Sequence, residues 1–170
     1  FCPRLSPNGK TCSRCRPNHR LSGCRSIWHY RGPIISLIKK FKYNSITASR
    51  SFVAPYLSAI MQQMPINQPT TITTAVPSSL QRLVERGFNQ SEVLARTAAA
   101  SLNLPYQPLL KRQPVAASQT RLTRKERFAN VRHQFSLLRP LSRETKTVII
   151  VDDVLTTGAT LAACAAALKS

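Results

Sequence analysis

The sequence predicts an α/β fold with a mostly parallel sheet flanked by helices, and three observations carry that prediction. Short β-branched or apolar runs at residues 71–77 and 147–151 alternate with apolar stripes at helical spacing. The second run, "TVIIV", ends in two adjacent carboxylates and then turns through threonines and a glycine into an alanine-rich segment. A hydrophobic fraction of 42% in 170 residues suffices for one folded core and lies near the globular norm.

The elements follow in order. Residues 1–25 are rich in Cys, Pro, Asn and Arg, the composition of a small loop-rich unit separate from a main domain at 26–170. In "PIISLIKKFKY" the residues Ile34, Leu37, Ile38 and Phe41 recur at helical spacing, and Pro33 suits a first turn. "SRSFVAPYLSAIMQQM" predicts a second helix, interrupted or started by Pro55. "TITTAVP" reads as a strand closed by Pro77. Helical signals return in "NQSEVLARTAAASL": Asn89 and Glu92 are spaced as a capping box, and Val93, Leu94, Ala98 and Leu102 form the apolar stripe. Residues 104–110 suit a further strand. A polar stretch at 111–121 precedes "TRKERFANV", where Thr123 and Glu126 are again spaced as a cap. The final strand, Thr147–Val151, leads through a loop to a helix from about Thr160, in which Cys164 is expected to be buried packing. The chain opens at Phe1 without an initiator Met and stops at Ser170 within a helical pattern, so a fragment cut at both ends, lacking a C-terminal strand, is expected.

Charge narrows the partners. The net charge is +19 and the pI about 11.1, and all six carboxylates stand at or beyond Glu85. Such a chain is drawn to polyanions: nucleic acid, phosphorylated metabolites or anionic lipid. The basic residues form no continuous run, and no basic stretch is interleaved with stacking aromatics, so composition leaves the polyanion open. No apolar segment nears the roughly 20 residues that span a bilayer, and no secretory pattern opens the chain; a cytoplasmic location without membrane insertion is expected.

The acid pair is the most informative feature. Ligands of open α/β sheets sit beyond the carboxyl ends of strands, where Asp152 and Asp153 stand. Thr156, Thr157, Gly158, Ala159 and Thr160 follow; a glycine lets backbone amides approach an anion, helped by hydroxyls and a helix N-terminus. Two acids beside a phosphate cradle make sense if they grip neighbouring hydroxyls of a sugar while the loop holds the phosphate on that sugar. A receiver domain also opens on a strand ending in Asp-Asp, but too few residues follow Asp153 for it. The triphosphatase phosphate loop is excluded because no Gly-Lys-Ser/Thr follows the glycine. A ligand-free strand–turn–helix is the bland alternative.

This stretch, residues 148–160, resembles the hallmark of the type I phosphoribosyltransferases. The resemblance implies that Asp152 and Asp153 bind the ribose hydroxyls of 5-phosphoribosyl-1-pyrophosphate (PRPP), and that Thr156 to Thr160 bind its 5′-phosphate. "RGFNQSEVLA" with the preceding "VP" of Val76 and Pro77, and "LLKRQPVAASQTRLTRKERFANVRHQF" with Arg112, Gln119, Leu122, Arg127, Asn130 and Phe135, are similar to signatures of the ComF/GntX family. So is the lead-in "YRGPIISLIKKFKY". That family implies a type I phosphoribosyltransferase fold, PRPP or ribose 5-phosphate as ligand with Mg²⁺, a pentosyl (glycosyl) transferase chemistry, and a role in DNA uptake or utilisation during natural competence. Residues 77–82 correspond to its pyrophosphate loop, with Arg82 and Arg86 as contacts, and residues 111–127 to its flexible hood, with Arg112, Arg124 and Arg127 facing the departing pyrophosphate. Glu92 is expected to be structural, Asn89 a cap or a ligand contact, and Phe88, Leu122, Phe128 and Val131 packing.

The family also carries zinc-ribbon knuckles where Cys2, Cys12, Cys15 and Cys24 cluster. Cys12-Ser-Arg-Cys15 matches one knuckle, but Leu5 stands where a second thiolate belongs, and a closed zinc site needs four ligands. Cys24 or His19 as substitutes, a decayed remnant without metal, and disulfides all stay open. The acceptor of a transfer reaction is not legible. A second hypothesis of a different class is a non-catalytic basic module on the same scaffold that holds single-stranded DNA or contacts competence-machinery proteins.

Overall fold

The computed structural model describes residues 10, 21–41, 46–64, 66–114 and 134–170. The expected hood residues 115–127 and Cys2, Cys12 and Cys15 lie outside these, together with Leu5, His19 and residues 128–133.

The central feature is a parallel strand pair. Strand β1 (Thr71–Ala75) aligns with a strand at Thr147–Val151 in the register Thr71↔Thr147 to Ala75↔Val151. On its other edge β1 meets Tyr106: the Thr73 N–H donates to the Pro105 carbonyl at 2.9 Å, and the Gln107 N–H donates to the Thr73 carbonyl at 2.9 Å. Every residue of β1 is buried, so its threonine hydroxyls depend on partners within the protein, and among the described residues Thr73 Oγ1 has none. The Thr71 hydroxyl donates to Asn67 O at 2.7 Å, and Thr74 Oγ1 accepts the Leu109 N–H at 3.2 Å.

Helices α1 (Pro33–Phe41) and α2 (Ile46–Gln62) precede β1. Pro55 lies inside α2, which runs through it. The lost amide bond and ring clash are offset by Val53, Leu57 and Met61, buried at i, i+4 and i+8. After β1 come the short helix α3 (Leu80–Arg86) and helix α4 (Gln90–Ser101). Strands β2 (Leu110–Arg112) and β3 (Phe135–Leu137) form an antiparallel pair; β4 is Thr147–Val151 and α5 is Ala159–Ala167.

Alternation along β4 separates two packing layers. Ile149 and Val151 face the cluster built by α2 and α4 with Ala98, Ala99 and Leu104. Ile150 faces the cluster of α5 with Leu110, Phe135 and Val76. Cys164 is fully buried there, as the sequence predicts, and burial pushes its thiol up to about 12. The structure is thus a mixed α/β arrangement with a small parallel sheet and helices against both faces. Among the described residues no helix is long and apolar enough to cross a membrane.

Two local expectations are refined. Residues 104–110 make a single bridge at Tyr106, and the strand begins at Leu110. Helix α3 carries no sequence periodicity that foretold it. Its signals are local: Ser79 Oγ accepts the Arg82 N–H at 3.4 Å, and Gly87, with φ 74°, closes the last turn by donating to Leu83 O.

Candidate functional site

Parallel pairing of β1 and β4 brings the chain leaving each strand to the same end of the sheet, with the start of α4 beside them. Asp152 and Asp153 follow β4 directly. Asp152 Oδ1 accepts the hydroxyl of Ser91, on the first turn of α4, at 2.9 Å, and the Asp153 N–H at 2.9 Å. Both bonds fall on Oδ1, which leaves Oδ2 for an outside donor. Burial, and then the neighbouring Asp153 charge, raise the Asp152 carboxyl to about 6 against a usual 3.8; the Ser91 bond opposes this. Among the described residues neither aspartate forms an ion pair. Among the described residues the repulsion that the sequence places here is not relieved by a direct ion pair, and the nearest charge compensation is the electrostatic reach of Arg112 to Asp152.

The loop beyond the acids ends at Gly158, buried and left-handed at φ 77°. Gly158 is also the N-cap of α5 and supplies no capping side chain, so the first turn of α5 opens toward the loop with its amides uncovered by its own cap. Thr156 and Thr157 are exposed, Ala159 and Thr160 half-buried, and Thr157 Oγ1 accepts the Ala159 N–H at 3.4 Å.

Three predicted arginines are described. Arg112 lies on strand β2, not in a loop: its guanidinium sits over the Phe135 ring at 5.5 Å, and Nη2 donates to Gln134 Oε1 at 3.1 Å. Among the described residues its buried Nε has no hydrogen-bond partner. Burial and then the positive charge of Arg82 lower its pKa, while Cys164 and Asp152 act the other way. Arg82 and Asp152 thus each lie within electrostatic reach of Arg112. Arg82 is exposed on α3 and Arg86 half-buried in its last turn.

The segment between β1 and α4 is held by Asn89. It occupies the N-cap position but makes no capping bond: Nδ2 donates to Val76 O at 3.0 Å, and Oδ1 accepts the Ser78 hydroxyl at 2.9 Å. The expected capping box is absent because Glu92 pairs instead with Arg96 at 2.9 Å, an exposed i,i+4 pair worth about 0.3–0.5 kcal/mol. Asn89→Ala is expected to lower stability by about 1–2 kcal/mol, seen as a shifted urea midpoint, because two bonds to the 76–78 loop vanish together. Phe88 is half-buried.

A cavity of about 770 Å³ touches this site at Asp152, Asp153, Phe88 and Gln90. It contacts every residue of β4 and none of β1, so it follows the flank of β4 away from β1, between apolar walls. Its lining is mostly apolar, although Lys10, Arg25, Lys146 and Lys169 also border it; the loop and arginines above gather polar donors at the acid pair itself.

The chain is 30% identical over 142 residues to "Competence protein F" of Haemophilus influenzae, a match covering 79% of this chain and 61% of that protein. It is 28% identical over 164 residues to "DNA utilization protein YhgH" of Escherichia coli, covering 92% of this chain and 68% of that protein. A protein of the same description from Salmonella typhi is 28% identical over 178 residues, covering 95% and 74%. The chain belongs to the ComF-like family. No family model and no solved structure match it.

Within this ComF-like chain, Ser91 and Gln134 are the site residues that sequence reasoning missed. Ser91 stands inside the "FNQSEV" motif, so its place was legible; its partner, far along the chain, was not. Of the four N-terminal cysteines only Cys24 falls among the described residues. It is half-buried against the α5 cluster, and burial raises its thiol pKa. No group of three or more His, Cys, Asp or Glu side chains converges among the described residues.

Proposed function

We propose that this ComF-like chain has a type I phosphoribosyltransferase fold and binds PRPP, or a related ribose 5-phosphate, in the turn leaving β4. The observation that carries this reading is the Asp152–Asp153 pair, without an ion-pair partner among the described residues, set before a loop whose buried glycine opens α5 without a capping side chain of its own. Asp152 Oδ2 and the Asp153 carboxylate accept the 2′ and 3′ hydroxyls of the pentose. Amides of residues 156–160 and the threonine hydroxyls hold the 5′-phosphate. Arg112 and Arg82 face the diphosphate; the buried Nε of Arg112, without a partner among the described residues, is the donor that would meet an oxygen. Mg²⁺ enters as part of the substrate, borne by diphosphate oxygens, as Mg²⁺ favours substrate phosphates over all-protein cages.

If transfer follows, an acceptor nucleophile forms the new bond to C1 of the ribose while the C1–O bond to diphosphate breaks, its electron pair leaving with that oxygen. The chain's contribution is positioning and charge stabilisation. The names of its relatives, a competence protein and DNA utilization proteins, support a role in DNA uptake or utilisation during competence. A cytoplasmic location is part of the same proposal. Calorimetric titration of the protein with PRPP and Mg²⁺ tests this reading. Saturable binding is expected, weakened about 10–100-fold in Arg112→Met through loss of charge-assisted bonds. Absence of heat at millimolar PRPP rejects the reading.

A further inference from the structure

The geometry points to Ser91 as a positioning residue that acts through Asp152: its hydroxyl holds one oxygen of that carboxylate and favours the ionised form, which accepts hydroxyls of a ligand. Ser91 is 5% exposed in the first turn of α4, and it donates to Asp152 Oδ1 at 2.9 Å across 61 residues of chain. The Asp153 N–H donates to the same oxygen at 2.9 Å. Both partners are donors, so together they stabilise the carboxylate rather than the protonated acid.

The donor is held in place from two directions. Ser91 shares the buried face of α4 with Ala95, Ala98 and Ala99, at i, i+4, i+7 and i+8. Two residues before it, Asn89 ties the start of the helix to the segment leaving β1 through Val76 O and the Ser78 hydroxyl. Ser91 ties the same turn to the segment leaving β4, so one turn of helix braces both strand exits. Helical hydroxyls commonly bond back to their own helix. Thr97 and Ser101 of α4 do so, donating to Val93 O and Ala98 O at 2.8 Å and 2.9 Å. Ser91 instead spends its proton on the acid pair.

Other groups also bear on Asp152. Burial and the Asp153 charge disfavour its ionised form, Arg112 on β2 lies within electrostatic reach, and so does the Cys164 thiol on α5. A guanidinium keeps its charge through the neutral range. Cys164, pushed up to about 12, keeps its proton there. Asp153 is thus the one neighbour among these whose own charge changes as Asp152 titrates. Without the Ser91 donor, burial and Asp153 are opposed by one hydrogen bond fewer, and the carboxyl holds its proton to higher pH. The consequence for ligand binding rests on the pentose-phosphate reading; the hold on Asp152 does not.

Asp152 and Asp153 are the chain's sole aspartates, so isotope-labelled aspartate carboxyls give two NMR signals to follow against pH, and Asp153→Asn identifies which is Asp152. In the ligand-free protein, Ser91→Ala is expected to raise the Asp152 midpoint by about one pH unit, through loss of a hydrogen bond to a charged group. Ser91→Thr keeps the hydroxyl and is expected to titrate as wild type. PRPP affinity is expected to follow the midpoint: Ser91→Ala binds about 5-fold more weakly than wild type near pH 6, and the two converge above about pH 8. An Asp152 midpoint unchanged in Ser91→Ala, or raised equally in Ser91→Thr, overturns the inference. So does an affinity gap of the same size at both pH values, which marks Ser91 as packing alone. A raised midpoint in a protein that never binds PRPP rejects the pentose reading and upholds the hold of Ser91 on Asp152.

Discussion

Asp152→Asn/Asp153→Asn is expected to lose PRPP binding by at least about 100-fold while making the ligand-free protein more stable. The loss follows from removing two carboxylate acceptors, each hydrogen bond to a charged group contributing about 1.5–3 kcal/mol. The gain follows from the raised carboxyl. Asp152 titrates near 6 in the folded chain because burial and Asp153 disfavour its charge, against about 3.9 unfolded. Between these values the folded state binds the extra proton, so stability falls as pH rises from about 4 to about 6 and is level above that. At neutral pH the ionised carboxyl therefore costs on the order of 1–3 kcal/mol, which Asn removes while still accepting from Ser91. Thermal melts and titrations on the same preparations read both effects. Wild-type affinity is expected to drop below pH 6 as the acceptor is protonated, a dependence the double variant lacks. A variant that binds as wild type excludes the aspartates from the site, and one that is destabilised at pH 7 removes the strain assigned to them.

Leu109→Ala is expected to cost about 2–5 kcal/mol, a fall in melting temperature of roughly 5–15 °C. Leu109 has 0% exposure, and its amide donates to Thr74 Oγ1 while its carbonyl accepts the Leu138 N–H at 2.7 Å. Its backbone thus ties β1 to the β2–β3 pair, and its side chain is fully buried. That pair carries Arg112, so the cavity is expected to loosen the arginine as well. A leucine-to-alanine change measured below about 1 kcal/mol means the site collapses without loss. Leu109→Met, close in volume, is expected to recover most of the stability.

Residues near in sequence made much of the site legible. β4, the acid pair, Gly158 and the start of α5 are contiguous, so strand alternation, turn chemistry and helix onset are written in consecutive residues. The capping-box spacing of Asn89 and Glu92 was present but misleading, because Asn89 Oδ1, the atom that would cap, accepts the Ser78 hydroxyl instead while Nδ2 donates to Val76 O. Helix α3 escaped notice because it buries nothing; it rests on Ser79 and Gly87 alone.

By itself, the sequence determined the α/β class, the acid-loop motif and the extreme positive charge, since each depends on local pattern or on a sum over residues. The tertiary structure alone decided which groups converge: Ser91 on Asp152, Arg112 near both Arg82 and Asp152, and the rings of Trp28, Phe52 and Tyr56 from two separate segments. The physical reason is that convergence is set by the parallel register of β1 with β4 and the packing of α2 on α4, which are long-range pairings that no short stretch of chain encodes.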